Sequence, residues 1–231
     1  MDNNFSDRLR EAVAYRKQTR LPNVNLIISF VSLSTLAYIV LALFAIPSGT
    51  LPDYHFVNEG GAITALSAIY LAMASSFSMG ALAVTIRAKD SNVWPWVIMT
   101  LGFGVLALDE LLQFHERFGS VLGQYMESGM FRNWNDVIVI LYGVVALLIV
   151  ASILPSLIRC KMLPELFVIG FVFYGIHTFI DATQEPRTVV SAIFEESAKL
   201  LCVLFLALGS FVGFLGILWN FNPANSAVKR S

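Results

Sequence analysis

Long runs of apolar residues alternate with short polar segments along the whole chain. Six of these runs hold about 20 residues or more, which is the length that a helix needs to cross the hydrocarbon core of a bilayer. The pattern therefore predicts an all-α, polytopic integral membrane protein that forms a six-helix transmembrane bundle. The predicted spans cover residues 24–46, 61–86, 93–114, 136–158, 163–182 and 188–219.

A shorter apolar periodicity lies between spans three and four. Apolar residues recur there at helical spacing with polar residues between them, which predicts a short interfacial amphipathic helix. Such a helix is either a packed connector or a lid over a site. Its apolar positions are Phe118, Val121, Leu122, Tyr125 and Met126. A similar helix is predicted before span one, with Phe5, Leu9, Ala12 and Val13 on its apolar face.

Composition supports the membrane assignment. Hydrophobic residues make up 57% of the chain and charged residues only 13%, whereas a soluble domain carries about 25% charged residues. The lipid bilayer is therefore the expected partner, and no basic patch with interleaved aromatic residues points to nucleic acid. The two cysteines, Cys160 and Cys202, are expected to be free, inert thiols.

The basic residues predict the orientation. Lys and Arg accumulate on the cytoplasmic side of membrane proteins, and with six spans most of them fall on one side. Both termini are therefore predicted to be cytoplasmic, and the plasma (inner) membrane is the expected location. The predicted domains are a cytoplasmic segment 1–23, a membrane domain 24–219 and a cytoplasmic tail 220–231. The residues on that side are Arg8, Arg10, Arg16, Lys17, Arg20, Arg87, Lys89, Arg159, Lys161, Lys229 and Arg230.

Acidic residues and histidines collect near the predicted outer ends of the spans. Charges within apolar runs are costly and usually face a site or a cavity. At 1.5 Å per residue, Asp109 lies about 24 Å and His177 about 21 Å from the inner starts of their spans. Four spans are thus predicted to bring polar groups to one depth in the outer leaflet. These groups are Glu59, Asp109, Glu110, His115, Glu116, His177, Asp181, Glu195, Glu196 and Lys199.

Helical spacing predicts which of these groups share a face. His177 and Asp181 are four residues apart, and Lys199 follows Glu195 and Glu196 by four and three residues, which predicts an ion pair along span six.

In span three, Asp109, Gln113 and Glu116 are predicted to form one stripe. His115 points about 120° away from Asp109 on an ideal helix, so it meets Asp109 only if the helix ends or bends near Phe114.

The residue types suggest a metal-dependent hydrolase. His177, Asp181, His115, Asp109 and Glu195 are the candidate ligands of a Zn or Fe ion, because two histidines with carboxylates suit both metals. Carboxylates beside such a metal can act as a general base toward its bound water. The candidates for that catalytic role are Glu110, Glu196 and Glu59. The expected substrate is a lipid or a membrane peptide.

Two short motifs resemble parts of known intramembrane hydrolases. Residues 195–199, Glu-Glu-Ser-Ala-Lys, resemble the Glu-Glu-x-x-Lys element of the PrsW-type membrane proteases. His177 and Asp181 resemble the His-x-x-x-Asp/Asn elements of those and related proteases, although the order of the two motifs is reversed here. The alkaline-ceramidase-like group also builds a metal site from His, Asp and Glu, but it has seven spans and a His-x-x-x-His pair. These resemblances imply metal-assisted hydrolysis.

Two other functions fit the same residues. Buried carboxylates and histidines also form proton relays and cation sites, so a proton- or cation-coupled carrier is an alternative. The charges can also be structural ion pairs that hold the bundle of a membrane subunit together.

Two glycine pairs have the small-xxx-small spacing of closely packed helices. Gly209 and Gly213 lie in span six and predict a helix interface, whereas Gly119 and Gly123 lie outside the spans, where little packing is expected.

Overall fold

The structure, a computed structural model, describes residues 5–44, 54–57, 60–125, 134–183 and 188–221. In these residues all regular secondary structure is helical. The helices are α1 Phe5–Gln18, α2 Asn25–Phe44, α3 Tyr54–Val57, α4 Ala62–Arg87, α5 Trp94–Leu112, α6 Phe114–Tyr125, α7 Trp134–Ile158, α8 Leu163–Thr183 and α9 Val189–Asn220.

Six of the described helices are long and apolar enough to cross a membrane, namely α2, α4, α5, α7, α8 and α9. The predicted all-α bundle of six spans is therefore confirmed. The two short helices expected outside the spans are also present, as α1 and α6. In span three the helix ends earlier than predicted, because α5 ends at Leu112 rather than near Phe114.

The last helix, α9, forms the centre of the bundle. It packs against α4 on one side and α8 on the other, and α4 packs in turn against α5. Leu200, Leu204 and Val212 of α9 are fully buried in these contacts. Helix α7 is held differently, because it contacts α1, α6 and α8 but hardly touches α5. A gap therefore separates α5 from α7.

Two glycines allow α8 to lie close to α9. A Cβ atom at Gly209 would lie 2.6 Å from Cδ1 of Phe167, and one at Gly213 would lie 2.5 Å from Cδ1 of Leu163. A larger residue at either position would have to displace a side chain of α8. The close packing predicted from the spacing of these glycines is confirmed.

The start of the first span and the end of the last span meet at one end of the bundle. The Asn220 side chain accepts a hydrogen bond from the Arg20 backbone N–H at 3.0 Å and donates one to the Arg20 carbonyl at 2.7 Å. At the same end, Arg16 of α1 forms an ion pair with Glu165 of α8. The Arg159 guanidinium lies 4.6 Å from the centre of the Tyr15 ring. These contacts fasten α1 to the ends of α7 and α8.

Candidate functional site

A cavity of about 300 Å³ lies between α5, α7, α8 and α9, and it reaches the end of the bundle opposite α1. Every candidate site residue that the structure describes lines it. Those residues are Asp109, Glu110, His115, His177, Asp181, Glu195 and Glu196. Glu59 lies outside the described residues. The sequence predicts that these groups lie at one depth in the membrane, and the structure shows that they line one cavity.

The end of helix α5 and the turn after it bring His115 to Asp109. Helix α5 ends at Leu112, and Gln113 adopts the left-handed conformation, with φ 55° and ψ 43°. The chain then turns back, so that the His115 backbone N–H donates to Asp109 Oδ1 at 2.9 Å. The ring atom Nδ1 of His115 lies 2.8 Å from Asp109 Oδ2. The predicted stripe of Asp109, Gln113 and Glu116 is wrong, because the helix ends between its members.

Asp109 and its neighbours change the proton affinity of His115, which lies just outside the third span. Burial lowers the pKa of His115, but the hydrogen bond and charge of Asp109 and the charges of Glu116 and Glu110 raise it by more. The net pKa therefore lies above the ordinary value of 6.5. Since Asp109 accepts the Nδ1 proton, the second ring nitrogen, Nε2, is the one that can exchange protons with another molecule.

Lys199 joins two helices through two carboxylates. Its Nζ lies 2.7 Å from Glu196 Oε2, on the same helix, and 3.2 Å from Glu110 Oε1 on α5. Glu196 is buried and the other two are partly buried, and the exposed side-chain fractions are 16% for Lys199, 7% for Glu196 and 13% for Glu110. The predicted pairing of Lys199 with Glu196 is confirmed. Glu110 is a partner that spacing along one helix could not reveal.

His177 lies on the α8 wall of the cavity beside an aromatic residue that the sequence reasoning missed. The rings of Tyr174 and His177 are 6.4 Å apart between centroids, and the Tyr174 hydroxyl donates to the Val139 carbonyl of α7. Gly143 makes room for this ring, because a Cβ there would lie 2.4 Å from Tyr174 Cε1. The available signal was the three-residue spacing from Tyr174 to His177, which puts both on one helical face.

The other half of the cavity is apolar. Each helix contributes residues at helical spacing, and along a span such a stripe has the same sequence as one that faces lipid. The sequence therefore gave no sign of this half. Its lining includes Ile98, Gly102, Phe103 and Leu106 of α5, Tyr142, Ala146, Ile149 and Ile153 of α7, and Phe167 and Phe171 of α8.

The surface helix α6 is fixed to the start of α7. A Cβ at Gly119 would lie 1.7 Å from Asn135 Oδ1 and 2.7 Å from the Asn135 backbone nitrogen. The expectation that the Gly119 and Gly123 pair has little packing role is wrong at Gly119. Asn135 also lines the cavity, so this contact holds α6 and its residue His115 over the site.

The predicted Zn or Fe site is not apparent in the geometry. Within the described ranges, no group of three or more His, Cys, Asp or Glu residues could hold a metal ion. Both carboxylate oxygens of Asp109 already accept hydrogen bonds from His115. A bound metal at these residues stays a prediction.

The chain belongs to a family that is described as a domain of unknown function, DUF8692. The family model matches residues 24–212, a segment that contains every candidate site residue. No curated protein and no solved structure matches the chain. The cavity and its polar groups are therefore the features from which a function can be inferred.

Proposed function

We propose that this protein is an intramembrane hydrolase in which His115, held by Asp109, acts as the general base toward water. The observation that carries the proposal is the 2.8 Å contact between His115 Nδ1 and Asp109 Oδ2 at the wall of the cavity. A carboxylate on one ring nitrogen fixes the tautomer and leaves the other nitrogen to accept a proton. A positioned base of this kind contributes about 10²–10⁴-fold to a rate.

The residues divide the chemical step between them. Neutral His115 takes a proton from water through Nε2, and the resulting hydroxide attacks the carbonyl carbon of an ester or amide. The Lys199 ammonium stabilises the negative charge that develops on the carbonyl oxygen. The protonated His115 then gives its proton to the leaving group as the carbon–heteroatom bond breaks. Water thus supplies the hydroxyl group of the acid and the proton of the released alcohol or amine.

The charge of the cavity limits the substrates that it can take. Six carboxyl groups and one ammonium group line it, together with two histidines. An anionic head group would be repelled in such a site, because charges interact strongly away from water. The expected substrate is a membrane-dissolved ester or amide whose head group is neutral or cationic. The carboxyl groups are Asp109, Glu110, Glu116, Asp181, Glu195 and Glu196.

Hydrolysis of two neutral probes by the purified protein in nanodiscs tests the proposal. The probes are methylumbelliferyl laurate, an ester, and the lauroyl amide of aminomethylcoumarin, and release of the fluorophore is measured. We expect His115→Gln and Asp109→Asn to lower kcat by about 10²–10⁴-fold, since both remove the base or its orientation. His55→Gln is the matched control, because His55 lies in α3 and does not line the cavity.

Two outcomes would contradict this assignment. One is cleavage of neither probe by the wild type, and the other is an unchanged kcat in the His115 and Asp109 variants.

A chelator arm tests the metal that the sequence suggested. If phenanthroline removes the activity and added Zn²⁺ restores it, the water is activated by a metal rather than by His115 alone.

The carrier alternative requires a polar route through the membrane. In α4, Ser76, Ser78 and Thr85 each donate to a carbonyl of their own helix. Ser75 donates to the Thr100 carbonyl of α5. Away from its polar end the cavity is lined by apolar residues such as Ile98 and Ile153. Hydroxyl groups that are bonded to helix carbonyls and an apolar lining favour a binding site over a polar passage.

A further inference from the structure

We infer that the substrate is a lipid-like molecule with one alkyl chain, which reaches the polar groups sideways from the bilayer between α5 and α7, past Gly102. This inference rests on the proposed function and adds the class of substrate, its route and a residue that sets chain length. Its basis is the shape of the cavity, the exposure of its lining and the space around one glycine.

The cavity is polar at one end and apolar along the rest of its length, which matches an amphiphilic molecule. Its polar groups lie at the end of α5 around Asp109, and its apolar lining continues along that helix to Ile98. These two residues are about 16 Å apart along the helix axis, at 1.5 Å per residue. The walls along this length include the rings of Phe103, Phe167 and Phe171. A head group at the polar end would leave its chain extended toward the middle of the membrane.

The volume favours a chain over a peptide. A cavity of about 300 Å³ is at the lower end of small-molecule sites, which measure about 300–1,000 Å³. A transmembrane peptide would enter as a helix about 10–12 Å across, which would require α5 and α7 to separate. Of the two substrate classes that the sequence suggested, lipid or membrane peptide, the cavity fits the lipid.

The side of the cavity opens where α5 and α7 hardly touch. Gly102 of α5 lines the cavity and is nevertheless exposed. Across the gap, Tyr142 and Ile149 of α7 line the cavity and are 36% and 37% exposed. These residues lie within predicted spans, so the surface that they expose outside the cavity faces lipid rather than water. The opening therefore connects the cavity with the hydrocarbon of the bilayer.

Gly102 is the residue at which this opening can be narrowed without damage to the fold. A Cβ atom there would have no other atom within 4 Å. A larger side chain at this position would occupy the opening instead of pushing on a neighbour. At Gly143, by contrast, a Cβ would meet the Tyr174 ring at 2.4 Å. Gly175 of α8 provides a matched control, because it has the same open surroundings but does not line the cavity.

Photolabelling in nanodiscs tests the route directly. The probes are clickable diazirine analogues of palmitoyl and octanoyl ethanolamide, which have neutral head groups and differ in chain length. We expect the palmitoyl probe to label α5 and α7 in the wild type, as mapped by mass spectrometry of the peptides. Gly102→Leu should lower this labelling about tenfold, the lower end of what an apolar pocket can discriminate. Labelling by the octanoyl probe should change less, because Gly102 lies about 10 Å along α5 from Asp109, so a short chain would end near this residue instead of extending past it.

Gly102→Ala and Gly175→Leu complete the experiment. The alanine variant should give an intermediate loss, which keeps the test valid if the leucine variant does not fold, and Gly175→Leu should label like the wild type. Equal palmitoyl labelling in the wild type and both Gly102 variants would overturn the inference, as would labelling confined to α2. Labelling needs no turnover, so a wild type that labels as expected but cleaves neither ester nor amide would overturn the proposed function alone.

Discussion

Gln113 is the residue that decides where His115 points. A left-handed conformation costs a residue other than glycine about 1–2 kcal/mol, and here that conformation ends α5 four residues after Asp109. The two hydrogen bonds from His115 to Asp109 exist only because of this turn. Glutamine carries no preference that would mark such a turn in a sequence. The acid and the histidine could be chosen as candidates, but their contact could not be predicted.

The raised pKa of His115 makes both stability and activity depend on pH, in opposite directions. In the folded protein His115 keeps its proton to a higher pH than in the unfolded chain, whose histidine has a pKa of about 6.5. The stabilisation from the charged Asp109–His115 pair is therefore fully present below about pH 6.5 and is lost as pH rises through the folded-state pKa. A general base must be neutral, so hydrolysis should rise with pH over that same interval.

Thermal unfolding in detergent across this pH range measures the first effect. The unfolding temperature of the wild type should exceed that of His115→Gln most below about pH 6.5. The difference between the two unfolding temperatures should shrink as pH rises. A difference that grows with pH would mean that Asp109 does not favour the charged form of His115. The pH dependence of kcat/KM with methylumbelliferyl laurate measures the second effect.

At the scale of whole helices, the position of α6 depends on one glycine. Gly119→Ala would place a methyl group against the backbone of Asn135, so α6 would have to move away from α7. We expect a loss of about 1–3 kcal/mol, as for other overpacked contacts, together with lower hydrolysis, because His115 moves with α6. Thermal unfolding and the fluorogenic assay measure the two effects.

Gly123→Ala is the matched control on the same helix. A Cβ there would lie 3.9 Å from Trp134 Cδ1, an ordinary contact. Replacing glycine by alanine in a helix gains about 1 kcal/mol, so this variant should be as stable as the wild type or more so. If Gly119→Ala behaved in the same way, α6 would not be held by Asn135.

Elements were easier to predict from the sequence than contacts between them. The six spans follow from apolar length, and the Gly209 and Gly213 interface follows from small residues at helical spacing. The Lys199 to Glu110 ion pair joins residues that are far apart in sequence, and no local pattern marks it. The gap between α5 and α7 also has no local signal, because a stripe facing a cavity and a stripe facing lipid are both apolar.

For the whole molecule, the direction of insertion is a prediction that labelling can check. In a background with Cys160→Ala and Cys202→Ala, Ser91→Cys lies in the connection between α4 and α5, and Ser120→Cys lies on α6. Both serines are exposed. If Lys and Arg mark the cytoplasmic side, a membrane-impermeant maleimide should label Ser120→Cys in intact cells and Ser91→Cys only after permeabilisation. The reverse pattern would place the site on the cytoplasmic side.

The native thiols are both free, as expected, and they are replaced here so that only the introduced cysteine can react. Burial raises the pKa of Cys160, in the connection between α7 and α8, to about 12. The thiolate is the form that reacts with a maleimide. The wild type and the background variant without cysteines should therefore both show little labelling.

The position of Lys199 in the last helix has a consequence for how the protein is made. Glu110 enters the membrane with α5, and its partner Lys199 follows only when α9 has been synthesised. At about 5–20 residues per second, the ribosome needs roughly 5–20 seconds to extend the chain from one to the other. During that interval the nascent third span carries two adjacent acidic residues, Asp109 and Glu110, before α9 delivers the ammonium group. The third span therefore gains the ion pair of Glu110 only after α9 has been inserted.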